Sequence, residues 1–165
     1  MHLFNKPKPN IDAVYSQYGD MLYRLALTRL GNDADAQDVV QDVFVKYISA
    51  KPVFESCNHE KAWFLRATVN RCHDLARRQK LRAFVPLDEA YGLAADSQEG
   101  YRDLMALVAQ LPPIYKDVVI LHALEGFTLE ETADILDISL SAAKMRLSRA
   151  KNILQILREE ENDVY

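Results

Sequence analysis

The chain has 165 residues, 49% of them hydrophobic, and carries 20 basic and 24 acidic side chains. That length supports one ordinary domain or two small ones, with enough apolar side chains for packed cores. No apolar run approaches the length of a membrane span, and the N-terminus MHLFNKPKPN lacks the apolar core of a signal peptide. Two cysteines, Cys57 and Cys72, do not make a disulfide framework, so a soluble, cytoplasmic protein is expected.

The formal net charge of −4 hides an uneven distribution. Residues 61–82 hold 7 basic side chains against 1 acidic, and residues 139–158 hold 5 against none. The segment 83–138 between them holds 2 basic and 11 acidic side chains. Local field rather than total charge governs attraction to phosphate. Two separated basic islands therefore suggest two contacts with nucleic acid.

In chain order, residues 1–10 carry Pro7 and Pro9 and read as a loose tail. From Ile11 onward, Val14, Tyr15, Tyr18, Leu22, Leu25 and Ala26 fall at helical spacing, and Gly31-Asn32 closes that helix. A second helix, about Ala34 to Ser49, would bury Ala36, Val39, Val40, Val43, Phe44 and Tyr47. Its outer face carries Gln37, Asp38, Gln41 and Asp42. Residues 51–59 read as a loop with Val53 and Phe54 exposed. A third helix, about Glu60 to Lys80, places Arg66, Asn70, His73 and Arg77 on one polar stripe. Its basic excess and the aromatics at its start favour nucleic acid over a merely solvated face.

Residues 83–100 are acidic and lack periodicity, as a linker would. Helix returns at about Tyr101 to Gln110, breaks at Leu111-Pro112-Pro113, and resumes from Ile114 to Glu125. Then comes a short helix from Leu129 to Leu136, with Thr128 and Glu131 spaced as a capping box. After the turn Asp137-Ile138-Ser139, a longer helix puts Ala143, Leu147, Ala150 and Leu154 on one apolar stripe. The other face carries Lys144, Arg146, Arg149 and Lys151. A capped helix, a tight turn and a basic amphipathic helix make a helix-turn-helix. The expected fold is all-α: two small helical domains, 10–82 and 101–160, joined by a flexible acidic linker.

Four segments resemble the extracytoplasmic-function (ECF) sigma factors of the sigma-70 family, the initiation subunits of bacterial RNA polymerase. Residues Ala36 to Phe44, AQDVVQDVF, are similar to that family's A-E-D-L-V-Q-E-V-F helix. Trp63, Asn70, Asp74, Arg77 and Arg78 match its W-x6-N-x3-D-x2-R-R helix. Leu111-Pro112 and the later Glu125-Gly126-Phe127 match the start of its second domain. Lys144, Arg146, Leu147, Arg149 and Ala150 match its K-x-R-L-x-R-A recognition helix. Asp137 stands where the family usually has glycine, and Gln37 where it has glutamate.

The resemblance implies a division of labour. Gln37, Asp38, Gln41 and Asp42 would bind core RNA polymerase. Phe54, Asn58, Arg66, Asn70, Arg77 and Arg78 would meet the melted promoter, Phe54 by stacking and Asn58 by hydrogen bonding. Ser141, Lys144, Met145, Arg146, Arg149 and Lys151 would read duplex DNA. Partners would be core polymerase, promoter DNA and an anti-sigma factor, with no catalytic residue, cofactor or metal. A helix-turn-helix regulator acting without polymerase is the alternative, but it needs neither the acidic-amide face nor the first basic island. Zinc binding by Cys57, His59, Cys72 and His73 is disfavoured because helical neighbours point about 100° apart.

Overall fold

The computed structural model describes residues 10–79 and 99–163. The expected tail 1–9 and linker residues 83–98 lie outside them. Asn10 is no part of a loose tail: its side chain accepts from the Asp12 amide at 3.1 Å and caps α1 (Ile11–Leu30). Gly31 ends α1 in the left-handed region at φ 71°, where a missing Cβ removes the strain. Asn32 caps α2 (Asp33–Ala50) by accepting from the Asp35 amide at 3.1 Å.

The third helix, α3 (Cys57–Gln79), begins a turn-fraction earlier than expected. Ser56 is the reason: its hydroxyl accepts from the His59 amide and its carbonyl from the Glu60 amide, each at 3.1 Å. Asn58 and His59 therefore stand on the first turn of α3 rather than in a loop.

These three helices pack around Phe64, which has no exposed surface. Tyr18 of α1 and Phe44 and Tyr47 of α2 place their rings 4.9, 5.3 and 5.0 Å from it. Such pairs add about 0.5–1.5 kcal/mol each beyond simple burial. Glu60 ties the same three helices at one end, accepting from the Tyr18 hydroxyl at 3.1 Å and the Tyr47 hydroxyl at 3.4 Å. Burial, reinforced by Glu60, pushes both phenol pKa values upward, so neither ionises near neutral pH.

The second group comprises α4 (Glu99–Gln110), α5 (Pro113–Val118), α6 (Leu129–Leu136) and α7 (Leu140–Asn162). One continuous α-helix was expected from Ile114 to Glu125. Instead α5 passes into a π-helical stretch, Val119–Leu124. The Glu125 amide donates back five residues to Ile120 at 2.9 Å, and Phe127 back six to Leu121 at 3.1 Å. His122 donates from Nδ1 to the Phe127 carbonyl at 2.7 Å and folds the chain onto Gly126.

Both halves of the expected capping box form. The Glu131 amide donates to Thr128 Oγ1 at 3.1 Å, and the Thr128 amide to Glu131 Oε2 at 2.9 Å. Thr128→Ala is expected to cost about 1 kcal/mol, read as a shift of the urea midpoint with unchanged slope. Asp137 takes the left-handed conformation at φ 54°, which lets α7 start three residues later. Ser139 caps α7 through the Ala142 amide at 3.1 Å.

Among the described residues there is no strand, as the all-α expectation required. The two groups of helices are in contact: α3 lies against α6, and α1 against α4 and α5. Buried side chains of both groups, among them Val69, Val118, Leu121 and Ile135, form one apolar cluster.

Candidate nucleic-acid interface

Gln37, Asp38, Gln41 and Asp42 are all exposed on α2, opposite buried Val39, Val40 and Val43. They are not equivalent. Asp42 is paired with Arg71 of α3 at 2.6 Å, and Gln37 donates to Asp33 at 2.9 Å. Asp38 and Gln41 make no side-chain hydrogen bond among the described residues. Val45 and Ile48 extend the same face and remain more than half exposed, at 56% and 53%. Sequence reading passed over these two, although they follow Gln41 at i+4 and i+7, the spacing of one helix face.

The segment before α3 presents a different surface from the one expected. Phe54 is half-buried, stacked parallel to Tyr47 at 6.5 Å and edge-on to Trp63 at 6.1 Å. Val53 beside it is 79% exposed. Trp63 packs edge-on against Phe64 at 5.2 Å, with the Lys46 ammonium 6.0 Å from its ring. Lys46, Val53 and Trp63 thus surround a partly open aromatic cluster.

On α3, Asn58, Asn70 and Arg78 are exposed, and Arg77 is exposed while paired to Asp74 at 2.7 Å. Arg66 is also exposed, but its guanidinium is engaged. Its guanidinium donates from Nε to the Ile135 carbonyl at 3.2 Å, and from a terminal nitrogen to the Asp134 carbonyl. Those carbonyls belong to the last turn of α6.

On α7, Ala143, Leu147 and Ala150 are buried, and Ser141, Lys144, Met145, Arg149 and Lys151 are exposed. Arg146 is half-buried. It lies about 100° round the helix from Met145 and borders the buried stripe. Ser148 and Asn152 are exposed between the other members of the face. Charge does not mark them, although Ser148 is i+7 from Ser141 and Asn152 i+7 from Met145. The face fits a duplex major groove, about 12 Å wide against a helix of about 10–12 Å.

The four zinc-type side chains do not converge. Cys57 and His59 stand on the first turn of α3, and Cys72 and His73 about 22 Å further along the same helix. Cys72 is wholly buried, and burial pushes its thiol pKa up to about 12.

Comparison with known proteins follows the same division. Residues 14–82 match the family model for sigma-70 region 2, and residues 101–154 that for sigma-70 region 4. The RNA polymerase sigma factor SigV of Bacillus subtilis is 30% identical over 142 residues, covering 85% of this chain and 86% of that one. The ECF RNA polymerase sigma factor SigE of Mycolicibacterium smegmatis is 29% identical over 158 residues, covering 89% of this chain. The match spans only 61% of the SigE chain. In fold, the chain is similar to the sigma factor RpoE of Bartonella quintana, solved with the anti-sigma factor NepR. The TM-score is 0.78 at 22% identity, over 92% of this chain and 98% of that one. CnrH, solved with the cytosolic domain of CnrY, gives a TM-score of 0.65 at 24% identity, over 91% and 88% of the two chains.

Proposed function

The chain belongs to the ECF sigma factors of the sigma-70 family, and from that membership we propose that it docks on core RNA polymerase and opens specific promoters. Its partners are core polymerase and promoter DNA, with an anti-sigma factor as the partner that restrains it. It catalyses no bond change itself; its work is binding. No described helix is long and apolar enough to cross a membrane; a cytoplasmic site of action follows from the proposed contact with core polymerase.

One observation carries the reading beyond the family: three exposed surfaces of different chemistry stand on three different helices. The acidic-amide face of α2, centred on Asp38 and Gln41, is the polymerase contact. The α7 face is the duplex reader, with Arg149 forked onto a base and Lys144 and Lys151 on phosphates. The start and polar stripe of α3, through Asn58, Asn70, Arg77 and Arg78, hold the open strand. Unstacking a base costs a few kcal/mol, which contacts to the extruded base offset, so opening proceeds without nucleotide hydrolysis. The deciding experiment is in vitro transcription of genomic DNA by core polymerase with and without the protein. New transcript starts that appear only with the protein are expected; a DNA-binding regulator working without polymerase would produce none.

The phosphate assignment has its own check. Lys144→Ala with Lys151→Ala should flatten the salt dependence of closed-promoter binding by the holoenzyme by about 1.8 in log–log slope. An unchanged slope in filter binding across a salt series would place both lysines off the DNA.

A further inference from the structure

We propose that Met145 reads a thymine in the upstream promoter duplex through its C5-methyl group, which makes thymine at that position a requirement of this chain's promoters. The inference rests on the functional reading above, in which α7 enters the major groove, and it names what the centre of that face recognises.

Met145 is a long apolar side chain on the wrong side of α7 for packing. Ala143, Leu147 and Ala150 carry the buried side of the helix. At about 100° per residue, Met145 lies about 160° round from both Ala143 and Leu147. It is 47% exposed, against 8% for Leu147. A lone exposed methionine needs no explanation on most surfaces. Here its surroundings supply one. Ser141 and Ser148 stand about one turn before and after it, both exposed and neutral. Lys144 stands about 100° to one side, where a phosphate wall would be met, and Arg149 about 40° to the other, still within reach of a base edge. A helix lying in the groove turns its outermost line toward the bases, near its N-terminus above all. Met145 holds that line in the second turn of α7, which starts at Leu140.

The base edges in the major groove offer one apolar feature, the thymine C5-methyl group. A thioether on an unbranched side chain is adaptable and polarizable enough to pack on it. Contact takes the methyl group and the end of Met145 out of water together. A cytosine in the same place would turn its amino donor to a sulfur, a weak acceptor, and leave that donor desolvated and poorly bonded. Guanine and adenine would offer N7 acceptors to a side chain with no donor. Selection thus comes from attraction to one base and from unpaired polar groups on the other three.

Uracil is thymine without that methyl group, so single thymine-to-deoxyuridine replacements isolate the contact. They are made in turn across the upstream element of a promoter recovered from the genomic transcription experiment. Closed-promoter binding by the holoenzyme is then measured by gel shift. One position is expected at which deoxyuridine weakens wild-type binding about fourfold, the worth of one buried methyl group. Met145→Gln keeps the side-chain length and the helix propensity but ends in an amide. It should bind the thymine and deoxyuridine templates equally at that position. The quantity compared is a ratio within each protein, so a change in active fraction cancels. Absence of any thymine at which wild-type binding depends on the methyl group would overturn the proposal, and so would the same loss in Met145→Gln. If Arg149→Ala weakens closed binding while every deoxyuridine template binds as its parent does, the methyl contact is wrong and α7 remains the duplex reader. If neither Arg149→Ala nor Lys144→Ala with Lys151→Ala alters closed binding, α7 is not the reader, and the functional reading fails together with the proposal.

Discussion

Arginine at both Asp38 and Gln41 is expected to abolish co-purification with core RNA polymerase while leaving the urea midpoint of the free protein nearly unchanged. Both side chains are exposed on α2, and surface substitutions of this kind stay within about 0.5 kcal/mol of wild type. Two reversed or added charges at a complementary interface cost several kcal/mol, which is a weakening of about 100-fold or more. Asp42 is the wrong residue for this test, although it lies on the same face. Its carboxylate is paired with Arg71 at 2.6 Å, so Asp42→Arg would set two guanidinium groups together and disturb the α2–α3 packing as well. Val45→Asp, one turn further along, probes the apolar continuation of the surface without touching that pair. Double-variant protein that still co-purifies at the wild-type level would remove α2 from the polymerase contact.

What could be read from the sequence was local. Thr128 and Glu131, Asp137, and Ser139 lie within a dozen residues, and each acts through a bond to a near neighbour. Spacing and residue type therefore disclose the helix-turn-helix almost to the residue. The start of α3 was legible too, because Ser56 is a good cap, but the aromatics that follow drew the expected boundary later. The π-helical stretch left no periodic mark, since its register answers to Gly126 and to the His122–Phe127 bond rather than to an apolar repeat. Arg146 was grouped with Arg149 on charge, though it borders the buried side of α7. Most hidden of all was the meeting of the two helical groups. Lys116 and Thr28 are 88 residues apart, and Arg66 and Asp134 are 68 apart. No window of sequence contains both partners, and a charge count enters Arg66 as one more free cation.

The two DNA tasks should separate cleanly when one residue is removed from each. Arg149→Ala should weaken binding to the closed promoter by about 1–3 kcal/mol, the worth of a good bidentate base contact. Asn70→Ala and Asn58→Ala should leave closed binding nearly intact and reduce opening. Asn70 and Asn58 are the better probes of strand capture than Phe54. Phe54 stacks on Tyr47 and Trp63, so Phe54→Ala removes packing from the first group of helices together with any base contact. Gel-shift binding and permanganate reactivity of unpaired thymines, measured for each variant on one promoter, report the two tasks separately. A pre-melted template supplies the unpaired bases in advance and removes the cost of unstacking them, a few kcal/mol. It should therefore rescue transcription by Asn70→Ala and Asn58→Ala far better than by Arg149→Ala, whose defect precedes melting. Equal rescue of all three, or rescue of Arg149→Ala alone, would show that α3 and α7 do not divide the work in this way, even in a protein that is a sigma factor.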